Sequence, residues 1–268
     1  MTIYLTGPNP NHLVHFANNE LQTLYQWCLC NRLTINTTKT YFIVKKTLNL
    51  PHLQINNNAI LKTNKVKFLG ITYDDSLTFR YHIHNITLNI YRHIALLYQV
   101  KDLLPPDVLK IMYYAHFHPL LTYCNPIGCT TYPTYLIPLK LQLKKIVRII
   151  TNSNYLEHTN YLLKGTKISK LDDITKLAIA TYMYANKNTI LHPMITTRHC
   201  HNLTVPQHRL TKFQHSVLYL CPVIWNSAPF EIQNASCTSV TSFKYRFKCH
   251  ILATYYSTDL HYFSLLVT

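Results

Sequence analysis

Apolar residues recur at Leu13, Ala17, Leu21, Leu24 and Cys28. That 4-4-3-4 spacing predicts an amphipathic helix over 12–28, since one face of a helix repeats every three to four residues. Asn11 is a candidate N-terminal cap and Asn31 a stop, while Gly7-Pro8-Asn9-Pro10 reads as a loop. Runs rich in β-branched and aromatic residues follow at Tyr41 to Val44, Leu53 to Ile55, Ala59 to Leu61 and Val66 to Tyr73, and predict short strands. Asn56-Asn57-Asn58 supplies residues that tolerate positive φ, so a tight hairpin is expected there. The region up to Asp75 therefore reads as a helix plus a small antiparallel sheet.

The period then changes. Ile83, Ile86, Ile90, Ile94 and Leu97 mark a long helix ending before Pro105-Pro106. Asp107 suits the positive N-terminal end of the next helix, which is expected to reach about His118. A third helix begins near Leu136, with Leu139, Leu143, Ile146, Val147 and Ile150 inward and Lys140, Lys144, Lys145 and Arg148 elsewhere on its surface. Ser169 to Asn186 predicts a fourth, capped by Ser169 with Asp172 and Asp173 in its first turn. Beyond Asn188 the chain reads as looser, interrupted by Pro193, Pro206, Pro222 and Pro229. The class that results is α+β, with a helical middle and a looser C-terminal region. No internal repeat or low-complexity tract is visible.

Charge narrows the partners. The 268 residues carry 26 Lys and Arg against 10 Asp and Glu, a formal net charge of +16. Only 13% of residues are charged, well under the usual ~25%, so the chain is basic because it lacks acids. Ten carboxylates are a thin supply for acid/base or two-metal chemistry. The surplus favours a polyanion as partner, and in so acid-poor a chain the basic helix face reads as phosphate-facing. A hydrophobic content of 48% suffices to bury a core.

Several chemistries find no footing. The eight cysteines show no paired C-x-x-C spacing, and Cys28-Leu29-Cys30 is too tight for a zinc knuckle. Cys200-His201, His208, His215 and Cys221 are spaced irregularly and read as scattered loop residues, so no metal site is assigned. No Ser-His-Asp or Cys-His arrangement stands out, and no catalytic residue is assigned. Met1 to Gly7 has no secretory pattern, which predicts reduced thiols and a nuclear or cytoplasmic, not secreted, location. Ile111 to Leu139 lacks Asp, Glu, Lys and Arg, but its four prolines and its polar groups argue against a membrane span. Trp27 and Trp225 lie among apolar residues and read as core. The 21 tyrosines read mainly as packing residues rather than base-stacking platforms.

Ordered motifs then suggest a family. Asn18-Asn19-Glu20-Leu21 with Trp27, followed by Asn31, Leu33, Asn36, Lys39 and Thr40, resembles the stretch after the catalytic strands of the reverse transcriptase of non-LTR (LINE-type, jockey-like) retrotransposons. Phe68-Leu69-Gly70 with Asp74 is similar to that family's primer-grip hairpin. Leu77-Thr78-Phe79 with His82-Ile83, then His118 to Cys124 and Leu141 to Thr151, resemble the opening of its thumb helices and the blocks that follow. Trp225-Asn226-Ser227-Ala228-Pro229 with Ser242-Phe243-Lys244 resembles its terminal block. The likeness spans nearly the whole chain.

The resemblance implies a palm remnant over 1–75, a helical thumb-like region over 76–151 and a C-terminal helical and basic region over 152–268. It implies RNA and DNA primer-template as partners, contacted through Lys39, Phe68, Leu69 and Gly70 beside the cations of the basic helix, Lys140, Lys144, Lys145 and Arg148. The intact parent would use Mg²⁺, held by an aromatic-x-Asp-Asp box. Here Met1 stands where that box would just have ended, and the endonuclease and earlier motifs have no counterpart. Thr72-Tyr73-Asp74-Asp75 is a decoy: it falls after the primer-grip glycine, with its aromatic residue one position out of register. Read locally, Asp74-Asp75-Ser76 is a polar turn that ends a strand. The expectation is a fragment that binds nucleic acid and is itself inactive as a polymerase. The alternatives are a stand-alone basic nucleic-acid-binding module and a pseudogene product without function.

Overall fold

The computed structural model describes residues 2–44, 52–186, 203–233 and 239–264, with side chains through Tyr255 in the last segment. Pro193 and the Cys200-His201 pair lie outside the described residues. The chain is α+β and forms two compact units, Met1–His82 and Ile83–Thr268.

The first unit is built on helix α1, Pro10–Cys30. Its cap is Asn9, whose side chain accepts from the backbone N–H of Asn11 and His12, rather than the expected Asn11. The helix begins earlier than predicted because Pro10 takes the first helical position, where a missing N–H costs nothing. Val14, Ala17 and Cys28 are buried, but Trp27 is 56% exposed, so the expectation of a core tryptophan fails there. Beneath the helix, β2 (Gln54–Ile55) and β3 (Asn58–Ala59) pair antiparallel. Asn56 and Asn57 hold φ of 47° and 61° in the two-residue turn between them, as hairpin twist requires. Two side chains tie hairpin to helix: Gln54 N–H donates to Asn18 Oδ1 at 3.0 Å, and Asn56 Nδ2 donates to Tyr25 Oη at 2.9 Å.

The sheet departs from expectation in one pairing. β1 (Tyr41–Phe42) runs parallel to β4 (Leu61–Lys62), so only the other two strand pairs are antiparallel. The predicted run at Ala59 to Leu61 is split between two partners, with Ile60 buried at the break and its N–H donating to Leu53 O. The run from Val66 to Tyr73 is likewise two strands, β5 (Lys65–Phe68) and β6 (Ile71–Asp74).

The second unit opens with α2, Arg80–Val100, whose residues from Ile83 onward belong to it. Its five predicted inward positions are all buried. α3 (Pro106–Met112) follows, with Asp107 in its first turn. It does not continue regularly to His118. Residues Tyr113–Phe117 form a π-helical turn before α4, His118–Thr122. Pro119 supplies the reason, since it has no N–H to return and its ring crowds the carbonyl four residues back. The His118 N–H instead reaches Tyr113 O, five residues back. Short α5 (Asn125–Gly128) leads to α6, Pro133–Ile150. The apolar stretch over Ile111 to Leu139 is thus several short pieces, and no helix among the described residues is long and apolar enough to cross a membrane.

α6 buries Leu139, Leu143, Ile146, Val147 and Ile150 against α2, α3 and the π turn, in a core that also takes Leu162 and Leu163 of α7 (Thr159–Thr166). α8, Leu171–Ala185, carries Asp172 and Asp173 in its first turn as expected. Its cap position is Lys170, not Ser169, and no side chain caps it. Among the described residues, the region expected to be loose holds four more helices: α9 (Thr211–Gln214), α10 (Val217–Asn226), α11 (Phe230–Gln233) and α12 (Val240–Ser264). Ile179, Ala180 and Met183 of α8 meet Trp225 of α10 and Phe243, Phe247 and Ile251 of α12 in a second core. Trp225 is buried as anticipated. Phe243 stacks on Tyr184 with ring centroids 4.2 Å apart, and on Trp225 at 6.2 Å, contacts worth about 0.5–1.5 kcal/mol each beyond area burial.

α12 is also pinned to α8 by polar groups. The Tyr255 hydroxyl donates to Asp173 Oδ2 and accepts from the Lys170 N–H at 3.0 Å. Lys170 Nζ lies 4.7 Å from the centre of the Tyr255 ring. Y255F strips both groups of their partner in a buried setting, so a loss of about 1–3 kcal/mol is expected. A urea unfolding curve of the full chain, with its midpoint displaced and its slope retained, is the measurement.

Buried titratable groups predict losses of stability at both ends of the pH scale. Burial holds His82 below its ordinary range; burial, then Lys248 and Lys244, do the same to His118. The unfolded chain takes up those protons first, so stability falls as pH drops through about 6.5. Burial, with Asp172 a secondary cause, pushes the Cys129 thiol up to about 12, and burial pushes Cys221 up to about 11. Unfolded thiols ionise from about 8.5, so above that pH the folded state retains protons the unfolded state has lost, and stability declines again. Urea midpoints measured across pH should be highest between these limits.

Candidate nucleic-acid interface

The β5–β6 hairpin is the most explicit candidate. Phe68 pairs with Ile71 across a two-residue turn, where Leu69 has φ 46° and Gly70 φ 83°. Both are in the left-handed region that lets a short loop follow the strand twist. Ile71 and Thr72 are buried beneath it, while Phe68, Leu69 and Gly70 are exposed and Leu69 is 72% so. The three predicted residues therefore form one projecting tip. Lys65 and Lys67, not singled out from the sequence, are exposed on the strand that leads to it. Alternation along a strand places them on one side, a signal already present in Lys65-Val66-Lys67-Phe68.

Asp74 and Asp75 close the same hairpin. Asp74 is 2% exposed, and its Oδ1 accepts from the N–H of Ser76 at 3.0 Å and of Thr78 at 2.9 Å. Its Oδ2 accepts from Thr78 Oγ1 at 3.0 Å. Asp75 Oδ1 accepts from Ser76 Oγ, and its N–H returns to Asn64 O. This is the polar turn expected at the strand end. The pair does not fit Mg²⁺, because the Asp74 oxygens are already engaged inside the fold and hard cations need several free oxygens. Among the described residues no group of three His, Cys, Asp or Glu is placed to hold a metal ion.

Lys39 ends a 3₁₀ turn, Thr37–Lys39, that Asn36 organises. Asn36 Oδ1 accepts from the Lys39 N–H at 3.2 Å and from Thr38 Oγ1 at 2.6 Å. The lysine side chain is exposed. Asn31 acts similarly at the end of α1, donating to Trp27 O at 2.8 Å. In this segment the asparagines satisfy backbone ends, and Lys39, like Arg32, is exposed.

The four cations of α6 are not equivalent. Lys140 pairs with Asp172 of α8 through both carboxylate oxygens, at 2.7 and 2.8 Å. The Arg148 guanidinium donates to Glu157 O through Nε and Nη2, at 3.1 and 2.8 Å, and lies 5.8 Å from the Tyr155 ring centre. Lys144 and Lys145 are exposed, next to the exposed side chain of Leu141. The structure thus engages two of the predicted cations in holding helices and turns together and leaves two at the surface.

The terminal motif likewise does structural work. Asn226 brackets the Leu203 backbone, donating through Nδ2 and accepting through Oδ1, both at 2.8 Å. Gln233 Nε2 donates to Trp225 O and Ala228 O. Phe243 has no exposed surface.

Replacing Asp74 by alanine removes three hydrogen bonds from a buried turn. The expected loss is about 2–4 kcal/mol, since bonds to a charged group are worth roughly 1.5–3 kcal/mol each and are not additive. Fluorescence-monitored urea unfolding would show it, and D75A should cost far less. Comparison with known proteins finds no matching protein family, no matching curated protein and no matching solved structure.

Proposed function

We propose that this chain is the region following the catalytic strands of a LINE-type reverse transcriptase. On this reading it holds primer-template or element RNA through charge and does not itself polymerize. The observation that carries the proposal is the β5–β6 hairpin. The Phe68-Leu69-Gly70 motif is exposed at the two-residue turn, with lysines on its approach strand and the Asp74 carboxylate engaged inside the fold. Such a tip can lie against a sugar-phosphate backbone because glycine lets main chain come close. Lys39, Lys144 and Lys145 add positive charge without a reaction to serve. Mg²⁺ and the reverse-transcription step belong, on this reading, to the intact parent.

Primer extension and fluorescence anisotropy on the full chain test this together. Incorporation of nucleotides in the presence of Mg²⁺ is expected to be nil, and any extension sinks the inactive-fragment reading. Binding of a labelled primer-template should weaken steeply with salt, and K144Q with K145Q should flatten the slope by roughly 0.9 per lost phosphate contact. A recessed primer end should be preferred over a blunt duplex, and G70V should remove that preference. Equal affinity for both ends would favour a plain basic binding module instead.

A further inference from the structure

A second group of cations gathers in the C-terminal region that the sequence marked only as basic, with Lys248 not singled out. On α12, Lys244 and Lys248 are four residues apart, hence on one face. Both bear electrostatically on His118 at the start of α4. Lys248 Nζ lies 6.0 Å from the centre of the Tyr114 ring, and that ring meets His118 edge-on at 5.3 Å. Tyr113 lies alongside, its ring centre 6.1 Å from that of His118. Among the described residues Lys244 and Lys248 form no ion pair. His118 Nδ1 and Tyr113 Oη are buried without a hydrogen-bond partner, and Tyr113 is 1% exposed. Buried polar groups seldom stay unpaired without a reason such as an absent ligand, ion or water.

Among the described residues no carboxylate is paired with these lysines. The acids of α8, which packs on both α4 and α12, are turned elsewhere. Asp172 holds Lys140, and Asp173 takes Tyr255 with Lys176 at 3.7 Å. What remains is the Lys248 ammonium facing the Tyr114 ring, with Lys244 on the same face of α12, against the π-helical turn where the ladder is already widened. π-helical turns are frequent at functional sites.

We infer that the seam between Tyr113–His118 and the Lys244–Lys248 face of α12 is a phosphate subsite that takes a phosphodiester of bound nucleic acid. The lysines supply the charge, and His118 and Tyr114 form the floor. The inference rests on the nucleic-acid-binding reading proposed above and adds to it a contact within the second unit. Because burial and both lysines hold His118 below its ordinary range, a phosphate over the lysines should move its titration to higher pH.

Histidine-ring NMR on the full chain tests this, with H118Q identifying the His118 signal and anisotropy following binding. The probes are a short fluorescent oligothymidylate and, separately, inorganic phosphate. The expected result is an upward shift of the His118 titration with the oligonucleotide, absent in the K244Q/K248Q variant. That variant should also flatten the salt dependence of binding by about 0.7, the value for one single-strand phosphate. Binding that leaves His118 unmoved would overturn the subsite while the nucleic-acid reading stands. No binding at all would remove that reading and this inference with it. An equal shift from inorganic phosphate would uphold the phosphate chemistry and overturn its assignment to a phosphodiester.

Discussion

The second unit depends on α8 being shared between two cores. Its N-terminal half gives Leu171 and Ile174 to the core of α2, the π turn and α6, while its C-terminal half gives Ile179, Ala180 and Met183 to the core of α10 and α12. A helix used on both sides in this way sets the spacing of everything packed on it. The Tyr255 hydroxyl, bonded to the Asp173 carboxylate and to the Lys170 backbone N–H, fastens one end of that arrangement. The helix so fastened also carries Lys248, whose Nζ lies 6.0 Å from the centre of the Tyr114 ring. Packing in the core and charge at the surface therefore have one cause.

Scarcity of acids links stability to the proposed binding. Of 10 carboxylates, several are committed to local structure. Asp74 closes a turn, Glu157 Oε2 accepts from the Asn154 N–H, Asp172 pairs with Lys140, and Asp173 serves Tyr255. Acids spent on backbone groups and hydroxyls cannot neutralise lysines elsewhere. The surplus of +16 is thus left chiefly on the surface, where exposed ion pairs would have contributed little stability in any case.

Legibility followed the strength of the periodic signal. Ile83 to Leu97 and Leu139 to Ile150 were readable because large aliphatic residues mark one face without interruption. The Asn56-Asn57 turn was readable because few residues adopt positive φ twice in succession. Three features were not. The parallel β1–β4 pair joins segments far apart in sequence, which no local pattern encodes. The π turn depends on Pro119 acting on a carbonyl one turn earlier. α12 buries Phe243, Phe247, Ile251 and Tyr255 at four-residue steps, but its apolar line is narrow and cations flank it. At the candidate site, the residues alone read as one strand from Val66 to Tyr73 and a hairpin at Phe68 to Gly70 came only from the resemblance, whereas the separation of Lys140 and Arg148 from Lys144 and Lys145 required knowing which neighbours α6 has.

That separation bears on how the motif positions are to be weighed. Asn31, Asn36, Asp74, Asn226 and Phe243 each satisfy a backbone end, a buried turn or an aromatic stack. Their presence is sufficiently explained by the scaffold and would be required whatever the chain binds. Lys39, Lys144 and Lys145 are different. They are exposed, and their side chains are not what holds the turns and helices that carry them. Substitutions there leave the core untouched, so a change in binding can be read as recognition rather than as unfolding. A change at Asp74 or Phe243 could not be read that way, because losing either perturbs the surface that is being assayed.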